Sequence, residues 1–115
     1  MTKQEEAALA IVEKTVCLFE EIANLLSDDK ALQTYAERGV RSVSSDMPPL
    51  EILKSTWTTA HIVNVRLGKL QSDGQLEHSQ AARVQGFRAR LEAAIRDSLR
   101  LAKPDDYAFL GGNHE

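Results

Sequence analysis

Apolar residues recur along the chain at spacings of three and four, the period of a helix packed along one side. Leu9, Val12, Val16, Phe19, Ala23 and Leu26 form one such stripe, and Ala8, Ile11, Leu18, Ile22 and Leu25 form a second beside it. Glu13, Lys14, Glu20, Glu21 and Asn24 fall on the opposite, polar face. The spacing predicts a helix over 2–26, opened by Thr2-Lys3-Gln4-Glu5 as a capping box, in which Thr2 and Glu5 satisfy each other's backbone donors. Its apolar face is broader than a two-stranded coiled-coil seam, so the helix requires more than one neighbour.

The second segment, 28–43, is sparser. Ala31, Leu32, Tyr35, Ala36, Val40 and Val43 are its apolar positions. Ser27 is the expected cap, and Asp28 and Asp29 suit the positive end of the helix dipole. Gly39 costs ~1 kcal/mol relative to alanine inside a helix, so a bend or a close packing contact is expected there. Pro48-Pro49 then stops one helix and can begin the next, where a missing amide hydrogen costs nothing.

Leu50, Leu53, Trp57, Ala60, Asn64 and Leu67 set a third helix over 49–71. Two stretches within it, Thr56-Trp57-Thr58-Thr59 and Ile62-Val63-Asn64-Val65, are rich in strand formers. A strand over 60–67 would need a pairing partner, and the chain offers none, so the helix is retained. Ser72-Asp73-Gly74-Gln75 reads as a turn and a second capping box. Val84, Phe87, Leu91, Ala94, Ile95, Ser98 and Leu101 mark the core face of a fourth helix, which Pro104 ends after Lys103.

Four helical segments with short connections predict an all-α fold, a small four-helix bundle over 1–103, followed by a C-terminal tail over 104–115. An intertwined homodimer of interleaved helices is the alternative arrangement. The chain's 115 residues can bury a core without disulfides or a metal. Aromatics are only 5% of the residues, so that core must be aliphatic. Cys17 is the single cysteine, which rules out an internal disulfide and fits a reducing, cytoplasmic setting. The N-terminus does not read as a secretion signal, and no apolar run approaches the ~20 residues that span a bilayer.

The candidate chemistry is thin. His61, His78 and His114 are the histidines, and Thr58 and Gln75 stand three residues before the first two, so the Glu-x-x-His pairs of bundle di-iron sites are missing. Glu20-Glu21 is followed by Asn24 and lacks the Glu-Glu-x-x-Glu run of the all-α nucleotide pyrophosphohydrolases. No metal site and no cofactor are expected, and Cys17 lacks the cationic surroundings that activate a thiolate. His61 is the one residue whose layout resembles that of histidine phosphotransfer domains, an imidazole on a bundle helix with Asn64 and Arg66 one turn on. The His-x-x-Lys-Gly pattern of those domains is absent. The simpler expectation places His61 beside Trp57, partly buried and hydrogen-bonded.

Charge is unevenly divided. Net charge is −3, but residues 1–37 hold three basic and eight acidic side chains, and residues 38–103 hold eleven basic and six acidic. Arg83, Arg90, Arg96 and Arg100 on the fourth helix could form a stripe for nucleic acid. The simpler account is that an acidic helix pairs with a basic one, inside the bundle or across a dimer. Tyr35-Ala36-Glu37-Arg38-Gly39-Val40 resembles the first half of a helix-turn-helix, but its spacing is one short and Pro48-Pro49 interrupts the recognition helix. In the tail, Tyr107, Phe109 and Leu110 follow Asp105-Asp106 and could dock on the bundle or on a partner. The expectation is a non-enzymatic protein that binds another protein and self-associates. The alternatives are phosphotransfer through His61 and nucleic-acid binding through the fourth helix.

Overall fold

The computed structural model of the chain describes residues 1–44 and 46–101. Among these residues the fold is four α-helices and no strand: α1 over Lys3–Leu25, α2 over Lys30–Arg41, α3 over Pro49–Ser72 and α4 over His78–Leu101. A short 3-10 turn, Ser42–Ser44, extends α2. The all-α bundle expected from the spacing is the fold observed.

Helix ends follow local chemistry. The Thr2–Glu5 capping box forms in both directions, at 3.0 and 2.9 Å. Asp29, not Ser27, caps α2, its carboxylate accepting from the Leu32 amide at 2.9 Å. A carboxylate at this position also meets the partial positive charge of the helix N-terminus. Pro49 begins α3 as expected. The second capping box does not form: α3 runs through Ser72, and Gly74 takes a positive φ of 67° to turn the chain. The Glu77 amide, just before α4, donates instead to the Gln80 side chain at 3.0 Å.

The stretch rich in strand formers is helix throughout. Its threonines are accommodated by back-bonding: Thr56 donates to the Ile52 carbonyl at 2.8 Å and Thr59 to Ser55 at 3.0 Å. Thr15 and Ser98, also buried, do the same to Ile11 and Ala94, each at 2.7 Å. A buried hydroxyl is thus satisfied within its own helix and needs no partner across the core.

Both α1 and α3 touch every other helix, whereas α2 and α4 barely meet among the described residues. The bundle is therefore a central α1–α3 pair flanked by α2 on one side and α4 on the other. Phe19, Ile22, Leu32, Val63, Leu67, Phe87 and Leu91 fill the core at the level of α2. Ala8, Val12, Ile52, Leu53 and Trp57 fill it beyond α2, with Leu99 and Leu101 packed against them. Trp57 is 2% exposed, and its indole Nε1 has no hydrogen-bond partner among the described residues.

Gly39 is a contact residue, not a hinge. A Cβ there would overlap the ring of Phe19 on α1. Glycine thus sets how closely α2 approaches. Gly39→Ala is expected to lower the urea midpoint: the ~1 kcal/mol gained in helix propensity is outweighed by an overpacking cost of about 1–3 kcal/mol. Adding Phe19→Leu should recover part of the loss, a coupling visible in a double-mutant cycle.

Candidate functional site

Two opposed helices with small residues on their facing edges leave a groove between them. Along α1 and α4 these residues are Ala10, Cys17, Ala93 and Ala94, with Ile11, Thr15 and Leu18 behind them. The groove encloses about 530 Å³. Its margins are charged: Lys14 and Glu21 come from α1, and Arg90 and Asp97 from α4. Glu21 and Arg90 face each other across it at 3.8 Å, with both side chains about half exposed. At the far end, Gln4 donates to the Leu101 carbonyl at 2.7 Å, so α1 and α4 run antiparallel along the groove. Cys17 is exposed on the α1 wall.

The residues that could have assisted His61 are engaged elsewhere. Arg66 grips Asp29 with two nitrogens, Nη2 at 2.6 Å and Nε at 3.1 Å. The same carboxylate caps α2, so one residue joins the α1–α2 turn to α3. Burial alone would raise the Asp29 carboxyl, but the Arg66 hydrogen bond, the Leu32 amide and the guanidinium charge together hold it below its ordinary value. Asn64 accepts from Arg88 Nε at 2.8 Å and donates to Glu92 at 3.4 Å. Arg88 also reaches Gln71 at 2.7 Å and lies over Gly68. His61 itself is exposed and makes no hydrogen bond with the described residues, although Trp57, one turn away, is buried. The partly buried, hydrogen-bonded histidine expected from the sequence is not what the fold provides.

The four candidate arginines divide into two groups. Arg83 and Arg90 stack on the Phe87 ring, at 5.5 and 5.3 Å from its centroid, on the edge of α4 nearest α1. Arg100 meets Asp97 at 3.8 Å, and Arg96 is exposed. These arginines do not converge on one row that could track a phosphate backbone. No group of three or more His, Cys, Asp or Glu side chains comes together to hold a metal among the described residues. No helix among them is long and apolar enough to cross a membrane. Tyr107, Phe109 and Leu110 lie outside the described residues.

Sequence reasoning missed the groove because its walls are alanines. The available signal was the placement of short residues: Ala10 and Cys17 share one face of α1 at a spacing of seven, and Ala93-Ala94 lies on α4 between Arg90 and Asp97. No family model, no curated protein and no solved structure matches this chain.

The Asp29–Arg66 pair predicts an acid-sensitive bundle. A carboxyl held below its unfolded value of about 3.9 contributes stability in full above that value and loses it as pH falls through the folded one. Asp29→Asn should therefore cost about 1–2 kcal/mol at neutral pH and flatten the stability profile below about pH 4. Urea midpoints measured across pH check both effects.

Proposed function

We propose that this protein is a non-enzymatic helical module that acts by binding another protein, as regulators, inhibitors and adaptors do. The observation that carries the reading is the α1/α4 groove, an apolar trough with small-residue walls and charged margins. Such a trough admits the close approach of another helix, and fixed charges along its edge set register and orientation. Affinity capture with three baits tests the reading: the full chain, a chain ending at Lys103, and Cys17→Trp, which fills the groove from an exposed position. The expected result is a specific protein retained by the first two baits and lost with the third, whose helicity is unchanged by circular dichroism. Equal capture by Cys17→Trp, or no specific protein on any bait, sinks the reading. Loss on truncation alone would move the contact to Tyr107, Phe109 and Leu110.

Phosphotransfer through His61 is supported by one observation, the exposure of its imidazole on α3. Against it stand the engagements of Asn64 and Arg66. Incubation with a small phosphoryl donor decides the matter: acid-labile label that is absent in His61→Ala supports this alternative, and no incorporation removes it.

A further inference from the structure

We propose that a cavity between α2 and α3 binds the phosphate of a small, soluble phosphate monoester. The cavity lies apart from the α1/α4 groove, and the inference does not rest on the groove reading. Thr34, Arg38 and Arg41 of α2, Ser42 of the 3-10 turn and Ser55 of α3 line it. It encloses about 400 Å³, within the roughly 300–1,000 Å³ of small-molecule sites. Among the described residues the lining holds two guanidiniums and three hydroxyls, and no carboxylate. Glu37, the carboxylate that meets Arg41, lines the cavity on the other flank of α2, with Glu20 of α1. The α1/α2 cavity is thus edged with acid and the α2/α3 cavity with base.

The donors that line this cavity are open to a ligand. Elsewhere, Arg66 and Arg88 are held by hydrogen bonds, and Arg83 and Arg90 by the Phe87 ring. Arg38 is exposed, and its guanidinium meets no partner among the described residues. Arg41 reaches Glu37 at 3.3 Å with both side chains about three-quarters exposed, a pairing that holds the guanidinium weakly. Ser55 is half-buried, and its hydroxyl makes no hydrogen bond with the described residues. Its proton is free for an anion. Thr34 donates its own proton to the Lys30 carbonyl at 3.0 Å, which leaves its oxygen to accept from a hydroxyl of the ligand. Two planar guanidinium forks and a serine hydroxyl suit the oxygens of a phosphate dianion. Arg38 and Arg41 also complement the negative end of α2. That role accounts for their place in its last turn, but it requires neither a cavity nor the Ser55 hydroxyl across it. The surroundings select a compact anion. Glu37 stands beside Arg41, and Glu51 lies one turn before Ser55 on α3, both exposed. A chain of phosphates leaving the cavity would run against these carboxylates, whereas a single monoester ends within it.

Titration of the full chain with glycerol phosphate, followed through backbone amide NMR shifts, is the test. The expected result is saturable binding with the largest shifts at Arg38, Arg41 and Ser55, and competition by inorganic phosphate at the same amides. Arg38→Gln and Arg41→Gln should each weaken binding at least about fivefold, and Ser55→Ala about threefold. Arg38→Lys should also weaken it, because an ammonium keeps the charge but loses the paired donors. Arg96→Gln, which removes an exposed arginine of α4, should leave it unchanged. These side chains are wholly or partly exposed, and circular dichroism checks that each variant folds. The absence of a saturable shift overturns the inference, as does binding indifferent to Arg38→Gln and Arg41→Gln or weakened equally by Arg96→Gln. Tighter binding of a short single-stranded oligonucleotide through the same arginines would assign the cleft to nucleic acid and overturn the monoester. Phosphatidylcholine vesicles carrying phosphatidic acid should leave the protein in solution. Co-sedimentation that Arg38→Gln abolishes would put a lipid headgroup in the cavity and overturn the soluble ligand.

Discussion

The approach of α2 to α1 depends on a missing side chain. Phe19 is buried where the two helices come closest, and Gly39 is the position that makes room for its ring. With α2 held at this distance, Leu32 and Ala36 reach the core, and the upper half of the α1–α3 pair is closed on that flank. Gln33 fastens the arrangement from the polar side, donating to the carbonyls of Ala23 and Leu26 at 2.8 and 3.0 Å. These carbonyls belong to the last turn of α1 and to its cap, Leu26, where helical partners run out. The contact thus joins core packing to the satisfaction of a helix end.

From that constraint the other flank follows. The core faces of α1 and α3 are directed toward each other and toward α2, and α4 closes the remaining side with Val84, Phe87 and Leu91. Its long polar side chains turn outward, toward Glu21 of α1 in the case of Arg90, or across to α3, where Arg88 joins Asn64 and Gln71. Between α1 and α4 the side chains that face each other include short ones, Ala10, Cys17, Ala93 and Ala94, within charged margins. The groove is therefore a by-product of where the large side chains go, as well as a surface in its own right. Its charged edges are mixed on both sides, with Lys14 and Glu21 from α1 and Arg90 and Asp97 from α4.

Much of this was legible along the chain, for physical reasons. The period of Leu9, Val12, Val16 and Phe19 could describe only a helix, and Pro48-Pro49 marked a boundary that no helix crosses in register. Thr2 and Glu5 announced their capping box by spacing alone. Other features depend on tertiary partners. Ser27 and Asp29 are both competent caps, and Asp29 takes the role where Arg66 of α3 also binds its carboxylate. Ser72 and Gln75 had the spacing of a capping box, but Ser72 is absorbed into the end of α3. His61 and Trp57 share a helix at a spacing of four, and one is exposed while the other is buried. Which side of that stripe faces the core is decided by the neighbouring helices. The groove was least legible, since alanine carries almost no patterning information until its neighbours are in place.

The chain's single tryptophan is enclosed among Ala8, Val12, Ile52 and Leu53, with its indole hydrogen unmatched among the described residues. An indole in a dry aliphatic site without a hydrogen-bonding partner emits at short wavelength and is shielded from aqueous quenchers. The molecule thus contains its own optical gauge. It reads the end of the bundle beyond α2, where α1, α3 and the close of α4 meet, and is far less sensitive to the end where Phe19 packs on Gly39. Loosening at the two ends can therefore be told apart without adding a label: a red shift reports the first, and helicity lost without a red shift reports the second.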